Sequence, residues 1–181
     1  MKQDPRQLEL VNACKRGDRR AQHQLYTQYA KAMYNICLRM VRNEADAEDL
    51  LQNAFIDVFT KIDSYRFEST IGAWIKRIVI NTCINHFKKR RLDIKEWDER
   101  IADQPMTESE SEYEDRKLNV KRIQQAMEKL PTGYRAVFSL YLLEGYDHKE
   151  IAQVLDISEA TSKSQYSRAK SKVRQLIAEM E

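Results

Sequence analysis

Residues 158–170, S-E-A-T-S-K-S-Q-Y-S-R-A-K, bring small hydroxyls, an amide and cations onto what reads as a single helix. Thr161, Lys163, Ser164, Gln165, Ser167, Arg168 and Lys170 are side-chain types that hydrogen-bond base edges and neutralise phosphates. The preceding stretch, H-K-E-I-A-Q-V-L-D-I (148–157), places Ile151, Ala152 and Leu155 on one apolar face, with a small residue where a second helix must cross closely. Asp156 suits the left-handed conformation of a tight turn, though Gly would adopt it at lower cost. Ser158 predicts an N-cap for the next helix, and Glu159 favours its positive end. The pattern predicts a helix-turn-helix whose second helix enters DNA.

Two other segments carry groups that could bind. Residues 72–91 hold Lys76, Arg77, Lys88, Lys89, Arg90 and Arg91 without one acidic residue, and Asn81, Asn85 and His86 share the same predicted helix. Such a helix can neutralise phosphates, with binding that weakens as salt rises. Tyr65 and Phe67 stand just before it in a predicted loop, near Trp74. Aromatics beside a basic helix can stack on unpaired bases, although apolar periodicity more often signals core. Residues 47–62 show an edge of Glu48, Asp49, Gln52, Asn53 and Asp57 that could meet a basic partner; taken alone it reads as a solvated face.

Catalytic chemistry finds no support. The chain has neither a Walker-type glycine loop nor a nucleophile elbow. Cys83 and His86 lie three apart, but two ligands do not make a zinc site. His23 and His148 have no evident partners. The expectation is a protein that is not an enzyme and has no cofactor and no metal.

The elements that must position these groups read as helices throughout. Charged residues make up 33% of the 181, glycines and prolines are few, and no useful period-2 apolar run occurs, which predicts an all-α chain. Helices are expected over 8–16, 19–42, 47–62, 72–91, 120–130 and 134–143, followed by the helix-turn-helix and its continuation through Val173, Leu176 and Ile177. Leu50, Leu51, Ala54, Phe55, Val58, Phe59 and Ile62 give 47–62 a wide apolar face. Residues 43–46 read as a turn with capping residues, and 63–70 as a loop.

Charge divides the chain in three. Residues 1–92 carry 17 basic against 10 acidic side chains, a net of +7; residues 93–119 carry 4 against 10, or −6; residues 120–181 carry 10 against 8, or +2. Two small helical domains, 1–92 and 120–181, joined by a flexible acidic linker over 93–119, are therefore expected. No apolar run is long enough for membrane insertion. Three cysteines without C-x-x-C spacing and an N-terminus lacking an apolar signal core suit a reducing cytoplasm.

Residues 47–66, A-E-D-L-L-Q-N-A-F-I-D-V-F-T-K-I-D-S-Y-R, resemble regions 2.1–2.2 of bacterial sigma factors, and 67–91, F-E-S-T-I-G-A-W-I-K-R-I-V-I-N-T-C-I-N-H-F-K-K-R-R, resemble regions 2.3–2.4. Residues 120–177 resemble region 4. With no intervening region 3, the chain is similar to the short extracytoplasmic-function (ECF) group of the sigma-70 family. That resemblance implies a dissociable specificity subunit that binds core RNA polymerase through its clamp coiled coil and flap, recognises the −35 and −10 promoter elements, and assists strand opening. It also makes an anti-sigma factor a possible partner. By the same likeness Asp49, Gln52, Asn53 and Phe55 would dock the clamp coiled coil. The loop 63–71, with Tyr65 and Phe67, would capture an extruded −10 base, while Asn81, Asn85, Lys88 and Arg90 would contact −10 DNA. Thr161, Lys163, Ser164, Ser167 and Arg168 would meet the −35 major groove. Ser162 stands where the family's recognition helix usually has an apolar core residue, and Gln165 where it has a cation. Gln pairs bidentately with adenine and Arg with guanine, so the change bears on the −35 sequence read.

Two other readings compete. A conventional dimeric helix-turn-helix regulator would occupy an operator by two half-sites, but has no need of a second basic helix with an aromatic loop. An adaptor that sequesters a polymerase subunit would be indifferent to Lys163 and Arg168.

Overall fold

The computed structural model describes residues 4–89 and 119–180. Among these residues there are eight α-helices and no strand. The expected linker, all but its last residue, and the cations Arg90 and Arg91 lie outside the described residues. Two compact units are present, 1–85 and 86–181, their division falling in the last turns of one helix.

In the first unit α1 (Pro5–Lys15), α2 (Arg19–Val41), α3 (Glu44–Lys61) and α4 (Ile71–Lys89) follow one another, with a 3-10 turn at Ile62–Ser64. Local chemistry sets most of these boundaries. Asp4 caps α1 by accepting from the Arg6 amide at 3.0 Å, with Pro5 at the first helical position. Asp18 accepts from the amides of Arg20 and Ala21 to start α2, after Gly17 has turned the chain at φ 79°. Asn43 accepts from the Asp46 amide and starts α3 at Glu44, so residues 43–46 are not the turn expected from their composition. The chain instead turns at Arg42, which is left-handed at φ 59°. The Thr70 hydroxyl accepts from the Ala73 amide at the start of α4.

The core of this unit is apolar and fully enclosed. Leu25 and Met40 of α2, Val58 of α3, and Ile75, Val79 and Ile80 of α4 are buried. Cys37 and Cys83 bring α2 and α4 together, sulfur to sulfur, at 3.8 Å. Both are free thiols. The hydrogen bond from Cys83 is the main reason the Cys37 thiol is held below its ordinary pKa. Cys83 is therefore a small core residue, and among the described residues no cluster of three or more metal-ligating side chains exists.

The second unit contains α5 (Asn119–Glu128), α6 (Thr132–Phe138), α7 (His148–Leu155) and α8 (Glu159–Ala178). Ala126, Met127, Leu130, Phe138, Ala169, Val173 and Leu176 form its core. Buried Arg135 donates from Nη1 to the Leu130 carbonyl at 3.1 Å, occupying a carbonyl beyond the end of α5. α6 widens into a π-helical turn at Ser139–Leu143, where Tyr141, Leu142 and Leu143 are exposed. Asp147 and Glu150 form a capping box at the start of α7.

Candidate nucleic-acid interface

The helix-turn-helix forms as its residues predict. Asp156 is left-handed at φ 59°, and the Ser158 hydroxyl accepts from the Thr161 amide at 2.9 Å. Ile151 and Leu155 of α7 are buried, as are Ser162, Gln165, Ala169, Val173 and Leu176 of α8. The opposite face of α8 exposes Lys163, Ser167, Lys170 and Arg174 along one stripe, flanked by half-buried Thr161, Ser164 and Arg168. Such a stripe presents hydroxyls and cations together to a groove. Arg174 continues it beyond the residues expected from sequence.

Two of these groups are engaged locally. Lys163 pairs with Glu159 one turn earlier at 2.7 Å. That hydrogen bond, more than any other influence, holds the Glu159 carboxyl below its usual range. A phosphate would compete with Glu159 for the ammonium. The Ser164 hydroxyl donates back to the Thr161 carbonyl at 3.0 Å, keeping the side chain close to the helix.

Gln165 is a correction. Its side chain is only 3% exposed and points into the unit, with no hydrogen-bond partner at Oε1, so it cannot read adenine from this position. Ser162 shows how a hydroxyl replaces an apolar core residue. It is fully buried, and its Oγ lies 2.9 Å from His148 Nδ1. His148 in turn stacks on Tyr141, ring centroids 4.5 Å apart. His148 thus has a clear partner, invisible in a sequence where the two stand fourteen residues apart.

In the first unit α4 exposes Arg77, Asn81, Asn85 and Lys89 at four-residue intervals, with Lys76 and Lys88 half-buried beside them. Asn81 and Asn85 therefore face solvent among cations, as a surface that follows a phosphate backbone requires. Arg90 lies outside the described residues.

The loop before α4 is ordered by its aromatics. Tyr65 is 4% exposed, and its hydroxyl donates to the Ser69 carbonyl. Its ring packs on Phe67 at 4.8 Å and on Trp74 at 5.4 Å. Tyr65 is thus an internal buttress; its ring is covered by the loop and unavailable to a base. Phe67 is half-buried and sits at φ 60°, a left-handed conformation that costs a bulky L-residue about 1–2 kcal/mol. Backbone strain of this kind persists only where surrounding contacts impose it.

α3 exposes Glu48, Asp49, Gln52 and Asn53 on one face. Phe55 is a second correction, being 3% exposed and packed edge-on against Tyr26 at 4.8 Å. It holds the helix down and does not present itself to a partner. Ile56, 63% exposed, stands beside Gln52 and Asn53 instead. Its signal was legible: an apolar side chain three and four residues along from two amides that face water.

Two family models match the chain. The family model described as "Sigma-70 region 2" matches residues 25–92, and "Sigma-70, region 4" matches residues 121–173. The ECF RNA polymerase sigma factor SigW of Bacillus subtilis is 28% identical over 183 residues, covering 94% of this chain and 96% of that protein. SigM of Mycobacterium tuberculosis is 27% identical over 174 residues, covering 93% and 83%. Among solved structures, the sigma factor RpoE of Bartonella quintana, in complex with the anti-sigma factor NepR, matches with a TM-score of 0.51 at 21% identity, covering 86% of this chain and 96% of that one. CnrH, in complex with the cytosolic domain of CnrY, also gives 0.51, at 23% identity over 95% and 97%. These structures carry the likeness of fold alone. Regions 2 and 4 in order, together with ECF relatives matched over 83% and 96% of their own length, make this chain a member of the sigma-70 family of RNA polymerase sigma factors, in its extracytoplasmic-function group.

Proposed function

We propose that the chain directs core RNA polymerase to promoters by gripping DNA at two places, with residues 1–92 engaging the clamp and the −10 element and residues 120–181 the −35 element. The acidic segment 93–119 connects the two. Each grip is weak alone, and their linkage supplies avidity set by span. Asp49, Gln52 and Asn53 of α3 form the clamp-docking face. The exposed run of Tyr141, Leu142 and Leu143 is the surface of the second module suited to the flap. Asn81, Asn85, Lys88 and Arg90 contact −10 DNA, and Thr161, Lys163, Ser164, Ser167 and Arg168 contact the −35 groove.

The observation that carries this reading is the pairing of a basic α4 stripe with an aromatic loop in one unit, in a chain whose other unit carries a recognition helix. An operator-binding regulator needs only the last of these. Strand opening follows from binding the unpaired state: extruding a base costs a few kcal/mol, which stacking, phosphate contacts and polymerase binding must offset. No covalent chemistry is involved, so nothing here acts as an enzyme. Its place of action is the cytoplasm, where polymerase works; among the described residues no helix is long and apolar enough to cross a membrane. An anti-sigma factor, as NepR is in the complex with RpoE, would inhibit by covering the surfaces that polymerase uses.

Fluorescence anisotropy with a promoter duplex tests the division of labour. Alone, the chain should bind in the weak range of non-specific complexes, about 10⁻⁴–10⁻⁶ M at physiological salt, and gain sequence selectivity only with core polymerase. Tight, selective binding of a palindromic duplex by two chains without polymerase would favour the regulator instead.

A further inference from the structure

We propose that Lys15, at the end of α1, is a positioning residue for the base-capturing loop: it holds Phe67 in the conformation that receives an unpaired −10 base. This rests on the proposed function and on residues 63–71 being the loop that captures an extruded −10 base, as the sigma-factor resemblance implies. The region 2 match begins at residue 25, so α1 (Pro5–Lys15) lies before anything it covers.

Lys15 reaches the loop across fifty residues of sequence. Its Nζ donates to the Tyr65 carbonyl at 2.8 Å and approaches the Asp63 carbonyl at 3.5 Å. The same nitrogen lies over the Phe67 ring, 5.0 Å from its centroid. One ammonium therefore touches the turn before Phe67 and the ring itself, a task suited to a compact head with three donors. The Phe67 backbone has positive φ, which a bulky residue leaves unless neighbours hold it. Tyr65, tied by its hydroxyl to the Ser69 carbonyl, closes the loop from the other side. The conformation that presents Phe67 is thus assembled by contacts from outside the loop as well as within it. Losing one set lets the strained backbone relax, and the ring turns away.

Apparent affinity for an extruded base scales with the fraction of chains in the presenting conformation. Lys15→Met keeps the aliphatic stem and removes the ammonium. In holoenzyme assembled from core polymerase and the full chain, with fork DNA carrying 2-aminopurine at each non-template −10 position in turn, this variant should lose most of the stacking quench. Opening of duplex promoters should slow about tenfold, as expected if the presenting fraction falls to roughly a tenth, while templates already unpaired at −10 lose less. Lys15→Arg keeps a cation that can stack on the ring and should restore much of the signal. Competition for core polymerase and the thermal midpoint should stay near those of the parent chain.

Parent-like quench and opening in Lys15→Met would overturn the proposal. So would a loss of core competition in step with the loss of opening, or no recovery in Lys15→Arg, since either would make Lys15 a general support of the fold. Phe67→Ala separates the two claims. If Phe67→Ala abolishes the quench and Lys15→Met does not, only the role of Lys15 fails; if Phe67→Ala leaves the quench intact, the loop reading itself is wrong.

Discussion

Asp49→Lys should weaken binding to core polymerase by about a hundredfold or more, because like charges brought together across an interface cost several kcal/mol and each 1.4 kcal/mol is tenfold. Asp49 is exposed on α3, in a face with Glu48, Gln52 and Asn53. The first turn of the same helix carries Glu44 and Asp46, so the whole approach surface is negative and amide-rich. A basic coiled-coil partner would meet it with complementary potential. Ile56, exposed in the same face, would supply the apolar contact that such interfaces place among polar groups. Because Asp49 lies away from the core, its reversal should change stability by no more than about 0.5 kcal/mol. Competition against labelled parent chain for core polymerase, with a thermal melt as control, measures both. Unchanged competition would remove α3 from the polymerase interface.

The second large effect concerns α8. Lys163→Ala together with Arg168→Ala should reduce initiation at templates that depend on a −35 element by about a hundredfold, since each good contact to a base or phosphate contributes about 1–3 kcal/mol. Lys163 is exposed and held by Glu159, with the Glu159 carboxyl charged well below neutral pH; handing the ammonium to a phosphate therefore requires breaking only a surface pair, which is worth little. If both residues contact phosphates, the salt dependence of binding should flatten by about two counterions' worth. Core-polymerase competition should not move, because the substitutions lie outside α3. Parent-like initiation by the double variant would favour an adaptor that never touches DNA through α8.

Much of the architecture is readable from local chemistry. Asp156 and Ser158 mark the turn and the cap between α7 and α8 because both tasks depend on one side chain and its own backbone. The apolar faces of α3 and α4 follow helical period, which burial enforces. Boundaries fail where a cap lies earlier than the apolar pattern suggests, as at Asn43, which starts α3 three residues before the expected helix. Site residues fail for a different reason. Phe55 and Tyr65 belong to types that serve equally in core and interface, and periodicity cannot say which faces water. Gln165 reads as a polar surface group yet points inward. The His148–Ser162 contact and the reach of Lys15 to Tyr65 join residues fourteen and fifty positions apart. Such pairings depend on how helices pack, and a single sequence carries no local sign of them.

Run-off transcription by core polymerase, with and without this chain, over a mixed library of bacterial promoter fragments tests most directly whether it confers promoter choice. Addition of the chain should switch on a small set of templates that core alone ignores, all sharing two separated upstream elements, and Asp49→Lys should silence that set. If the same templates are copied at the same levels whether or not the chain is present, it is not acting as a specificity subunit.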